Sequence, residues 1–244
     1  MLTDYGSNYA TLGADELRTI VQTNTMALKL ARTGLSLQIR APVDYSPTNE
    51  THIKGLAVMK RLARAFTAEG RMAELENRPG DAAHSYLDSI RLGYAVGRGG
   101  LIIDSLVGIA LQAIGLAPLE KLVSTLDARQ CRELAAALES ADSQQDSIED
   151  LLEQENAWVR RTYGLKGRFI QLVQYKSLKQ TQQKWGQKVI TQQVRTRVLT
   201  IQLAARAYEL DKGERPRSLA DLVPSYLKAI PQDPVTGTNM FYRP

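Results

Sequence analysis

The stretch LIIDSLVGIALQAIGLAPL, Leu101 to Leu119, is apolar at 13 of its 19 positions, and the reading of the whole chain turns on it. Its hydropathy is high enough for a membrane-spanning segment. Against that, Asp104 and Gln112 interrupt it, Gly108 and Gly115 lie inside it, and Pro118 falls near its end. Lipid offers those polar groups no partner, whereas a helix packed among other helices can hydrogen-bond them. The stretch is therefore expected as a core helix, starting after the break at Gly97, Gly99 and Gly100 and running to about Leu122. Apolarity on all sides puts such a helix in the middle of a bundle.

The flanking sequence carries helical periodicity in both directions. Leu17, Ile20, Val21, Leu28, Ala31 and Leu35 recur at three- and four-residue steps between Ala14 and about Arg40, and Pro42 to Asn49 reads as a loop. A second pattern, with Val58, Leu62, Ala65 and Phe66 as its stripe, runs from about 50 to 77. Arg78-Pro79-Gly80-Asp81 predicts a turn with Asp81 as N-cap, followed by a helix carrying Ala82, Tyr86 and Ile90. Beyond the apolar stretch, Asp127 predicts the cap of a helix over about 128–141, and Ile148, Leu151, Leu152 and Trp158 belong to the next one. Gly164 and Gly167 mark a break. From Phe169 to about Asp211 a long helix is expected, with Val194, Val198, Ile201, Ala205 and Tyr208 as its packing seam.

Composition agrees with this pattern. The chain has 244 residues, 43% hydrophobic and 23% charged, with only 3 Phe and 2 Trp, so an all-α helical bundle or short solenoid is expected and a sheet-dominated protein is not. The helical domain spans about 10–212, and an irregular Pro-rich tail over 213–244 packs on it. Gly213 suits a left-handed helix end, Pro216 blocks continuation, and Ser218 with Asp221 forms a short capping box. Val235 to Tyr242, around Thr236-Gly237, is expected as a small β-hairpin.

The charge is divided along the chain. Between Asn156 and Tyr208 there is no Asp or Glu but eleven Lys and Arg, while Asp127 to Glu155 carries nine acids against Arg129 and Arg132. Two such helices can pack against each other and pair their charges. Alternatively the basic stretch 160–197 meets an external anion. The cations that would do so are Arg160, Arg161, Lys166, Arg168, Lys176, Lys179, Lys184 and Lys188. The acid-free region between Asn156 and Tyr208 also has nine Gln and the aromatics Phe169, Tyr175 and Trp185, which could track phosphates and stack on bases. An acidic protein, a nucleic acid and an anionic membrane surface are the partners this composition allows.

Signals for catalysis are sparse. Cys131 lies near a predicted helix start beside Arg129 and Arg132, but its spacing to Leu134 and Leu138 turns it to the core. His84 and Asp81 stand three apart, and His52 has no Glu-x-x-His partner motif. Asp146, Glu149, Asp150 and Glu153 form two carboxylate pairs four residues apart, which reads as solvated helix surface neutralised by nearby cations. Gly97-Arg98-Gly99-Gly100 lacks the Lys-Ser/Thr of a phosphate-binding loop, and no G-x-S-x-G elbow occurs. No enzyme activity and no cofactor are expected.

Two local resemblances add to this reading. Residues from about 62 to 92, with Gly70, Ala82, Tyr86 and Ser89 at small, small, aromatic and small positions, resemble one tetratricopeptide-type hairpin, departing from it at Ala73 and Asn77. The segment from about 198 to 244, with Arg206-Ala-Tyr-Glu-Leu-Asp-Lys-Gly213, Arg215-Pro216, Asp221-Leu-Val-Pro224, Ile230-Pro231, Asp233-Pro234 and Phe241-Tyr242, resembles the post-helix segment of type II secretion pseudopilins. The resemblance implies an envelope-associated bacterial protein, extracytoplasmic by way of an upstream anchor, and cytoplasmic if the chain is complete as given. It transfers no calcium ligand. The expected function is a non-catalytic helical scaffold or protein–protein interaction module at the bacterial cell envelope, with nucleic-acid binding through 160–197 as the alternative.

Overall fold

A computed structural model describes residues 12–37, 40, 50–173 and 175–243, with the backbone alone for 50, 165–173 and 175–178. Among the described residues seven α-helices form an all-α bundle: α1 (Ala14–Leu35), α2 (Glu50–Leu75), α3 (Pro79–Gly97), α4 (Ile102–Leu122), α5 (Ala128–Asp142), α6 (Ile148–Val173) and α7 (Tyr175–Lys212). No strand occurs among the described residues. The Pro42–Asn49 loop lies outside them.

The apolar stretch is α4, packed on α3 and also touching α2 and α7. Leu111, Leu116 and Leu119 are fully buried, each removed from water at a gain of about 2 kcal/mol. By length and hydropathy it is the one described helix that could cross a membrane, yet it carries Asp104 and Gln112 buried within the bundle. Asp104 folds back to accept the Leu101 N–H at 2.7 Å, and Glu155 accepts the Ile102 N–H at 3.0 Å. The first unpaired amides of α4 are thus satisfied by carboxylates, which also suit the positive end of the helix dipole.

Close approach of α3 to α4 depends on absent side chains. Gly93 and Gly108 meet backbone to backbone, Gly115 lies against the carbonyl of Tyr86, and Gly70 of α2 lies under the Tyr86 ring. The small-and-aromatic pairing in 62–92 is therefore a real contact between α2 and α3. Tyr86 also donates its hydroxyl proton to Glu74.

Several expected boundaries shift. α3 begins at Pro79 and not after Asp81, because proline at the first helical position has its φ preset and needs no amide partner. Asp81 then sits in the first turn, paired with Arg78. In α6 only Gly164 leaves the helical region, at φ 54, while Gly167 stays helical. Asp127 caps α5 as expected, accepting the Gln130 N–H at 2.7 Å while Gln130 returns a bond to the Asp127 N–H.

The buried seam of α7 is Trp185, Val189, Gln192, Thr196, Leu199, Leu203 and Ala207, with Thr200, Ile201 and Ala204 buried beside it. The expected seam lies on its flank, and Val198 is exposed. Gln192 and Thr196 hide the true seam from a reading based on apolar residues alone. The tail packs on α5 and α7: Leu219, Leu222 and Leu227 are buried in the core that holds Leu134 and Leu203. Asp221 accepts from the Ser218 N–H at 3.0 Å, and Gly213 takes φ 75 at the end of α7. The expected β-hairpin reduces to a single antiparallel bridge between Gln232 and Asn239. Pro231 and Pro234 remove donors that a ladder would need, and Asp233 instead accepts the N–H groups of Val235 and Thr236.

Candidate interaction surfaces

The basic stretch separates into two parts. In the later part, arginines are committed to the fold. Arg195 grips Glu120 through two bonds of 2.7 and 2.8 Å, Arg197 pairs with Asp142 at 2.7 Å and donates to the Gln232 carbonyl, and Arg206 pairs with Glu209. Of these acids only Asp142 belongs to the acidic segment 127–155, so neutralisation by that neighbour is partial. The earlier part is marked by exposure. Arg160, Arg161, Lys179, Lys184 and Lys188 are exposed, whereas the side chains of Lys166, Arg168 and Lys176 lie outside the described residues.

Lys184 and Lys188 flank the residues that root this arm. Trp185 and Val189 are buried with Leu151 of α6, against Ile102, Leu106 and Ile109 of α4, and the Trp185 indole donates to Ser105 Oγ at 3.0 Å. Lys184 and Lys188 share one face of α7 a turn apart. Arg160 and Arg40 line an open cleft of about 770 Å³ together with Asp146, Asp150 and Glu153, so these carboxylates do have cations nearby.

The sequence signals for reactive groups resolve into structure. Cys131 is fully buried with Leu134 and Leu138, and burial pushes its thiol up to about 11. His84 is exposed and bonds the Gly80 carbonyl through Nδ1. His52, which had no motif partner, stands 2.5 Å from Asp104 through Nε2. Glu155 joins this group through Ile102, and burial holds its carboxyl above the usual range. The signal for that cluster was the lone acid inside an apolar helix. Among the described residues, no group of three or more His, Cys, Asp and Glu is arranged to hold a metal ion.

A second unforeseen feature surrounds Arg32. Its Nε donates to Asp88 at 2.6 Å, its other nitrogens reach Glu69, and the guanidinium lies 5.1 Å from the Phe66 ring centre. Ser85 also donates to Glu69 at 2.7 Å. Beside this cluster, the C-terminal turn of α1, one face of α3 and one face of α5 enclose an open cleft of about 580 Å³.

Comparison with protein-family models, curated proteins and solved structures finds no match to the chain.

Proposed function

We propose that this protein is a non-catalytic helical interaction module of the bacterial cell envelope, and that the cation-rich arm from Arg160 to Lys188 is the face it offers to an acidic protein partner. The observation that carries this reading is the division of the basic stretch. Arg195 and Arg197 are held in ion pairs, while Arg160 of α6 and Lys184 and Lys188 of α7 are exposed. The envelope setting rests on the pseudopilin-like sequence of the tail.

Nucleic acid is the weaker reading because Trp185 points inward. At 2% exposure, and bonded to Ser105, its indole has no face free for a base. Reversing Arg160, Arg161, Lys184 and Lys188 to Glu provides the test, read by fluorescence anisotropy with labelled poly-glutamate and with single-stranded DNA and RNA. The expected result is poly-glutamate binding at low salt that falls at least tenfold in the variant, with flat isotherms for both nucleic acids. Tight nucleic-acid binding that weakens steeply with salt would overturn the proposal.

A further inference from the structure

We propose that the cleft between α1, α3 and α5 is a second docking site, shaped and charged to take one face of an acidic amphipathic helix from a partner protein. The inference rests on the interaction-module reading but uses none of the residues of the cationic arm.

Three walls carry the argument. His84 and Arg91 on α3, and Arg98 just past its end, recur at seven-residue intervals along one side of the helix, with backbones about 10 Å apart by the rise per residue. Arg91 is exposed, and Arg98 closes one end of the cleft by donating to the Gln144 carbonyl at 3.1 Å. On α5, Ala137, Ser140 and Ala141 present a face of short side chains, with Gln144 just beyond the helix, against which another backbone can lie closely. The end of α1 supplies Leu35 and Leu37, the latter exposed. The cleft's one carboxylate, Asp88, accepts from Arg32, a cation it shares with Glu69, and stands against Arg32, Arg91 and Arg98 in the lining.

This geometry selects among occupants. Arg98 is held on the Gln144 carbonyl at one end of the cleft while the backbone of Arg91 stands two helical turns away, so a ligand that spans both fits better than a single compact anion. Tyr94, the one aromatic in the lining, is 5% exposed and offers nothing for a base to stack on. No strand edge exists among the described residues for an extended peptide to join. A helix with apolar residues facing Ala137 and Ala141, and carboxylates seven residues apart facing Arg91 and Arg98, matches both the spacing and the charge.

The test uses the full chain and two synthetic helical peptides of about 21 residues, each with an Ala/Leu face. One carries Glu at seven-residue spacing and the other carries Lys at the same positions. Anisotropy is measured for the wild type, Arg91→Glu, Arg91→Glu with Arg98→Glu, and the four-residue arm reversal, with circular dichroism as the check on folding. The expected result is binding of the Glu peptide that drops about threefold in the single variant and at least tenfold in the double variant. The Lys peptide should bind the double variant instead, and the arm reversal should bind the Glu peptide as the wild type does. Arg91 makes no hydrogen bond among the described residues, so the single variant keeps the test open if the double variant misfolds. Absence of Glu-peptide binding, or binding lost only in the arm variant, overturns the cleft while leaving the arm proposal standing. Self-association of the wild type that Arg91→Glu abolishes, without peptide binding, overturns it in favour of a second copy as occupant.

Discussion

Gly93 and Gly108 face each other so closely that a methyl carbon added to either would lie 2.5 Å from the carbonyl oxygen of the other. The obstacle on both sides is backbone, which cannot rotate away as a side chain can. Alanine gains about 1 kcal/mol over glycine in helix propensity, but overpacking of a tight contact costs about 1–3 kcal/mol and separates the two helices here. Gly93→Ala and Gly108→Ala should each lower the stability read from a urea melt, by about 1 kcal/mol net. Gly55→Ala in α2, where nothing lies within 4 Å, should raise it by up to about 1 kcal/mol.

Arg32 joins three helices by bonding Asp88 on α3 and Glu69 on α2 from α1. Burial holds the Asp88 carboxyl above its ordinary range, and Arg32 works against that shift. Arg32→Met would leave two carboxylates without their shared cation. Because Arg32 is partly exposed, the expected cost at neutral pH is about 2 kcal/mol, below that for a fully buried pair. The deficit should shrink as pH falls and the carboxylates take up protons, which urea melts at about pH 7 and about pH 4 would resolve.

Glu155 predicts a pH dependence of opposite sign to the usual carboxylate. Its carboxyl is raised by burial and to a lesser extent by Asp104, with the Ile102 N–H bond opposing. The folded state then holds the proton more tightly than the unfolded chain, so stability falls as pH rises from the ordinary carboxylate value through the raised one. Glu155→Gln keeps an oxygen for the Ile102 N–H and removes the charge. It should melt at a higher temperature than the wild type above that window, and the gap should close below it.

Cys131 should be silent in the native protein. With its thiol fully buried and raised to about 11, an aromatic disulfide reagent at neutral pH should label it only after denaturant is added. Prompt native labelling would contradict the packing of α5. Cys131→Ser places a hydroxyl among Leu134 and Leu138 and should cost about 1–3 kcal/mol in a urea melt.

How much of this could be read in advance differs from element to element. α4 and the capped start of α5 were legible because hydropathy and capping are local properties, as were the turn at Gly213 and the Ser218–Asp221 box. The start of α3 was misplaced because Asp81 and Pro79 are both good helix starters and only the chain path chooses between them. The α7 seam was placed to one side of the buried one because Gln192 and Thr196 break its apolar pattern, although Ile201, Ala205 and Tyr208 do pack on the core. The predicted arm residues Arg160, Arg161, Lys179, Lys184 and Lys188 do lie at the surface, but the commitment of Arg195 to Glu120 spans 75 positions, a separation no local pattern reports. The cleft was invisible for the same reason, since its walls come from three separated helices.

The inward turn of Trp185 also gives the molecule an optical gauge. The chain has two tryptophans, and Trp158 stands half-buried with its ring edge-on to Tyr163. In a Trp158→Phe background, emission comes from one indole wedged between α4, α6 and α7. Its colour then tells whether a load on the arm has pulled that wedge loose, without attaching any dye.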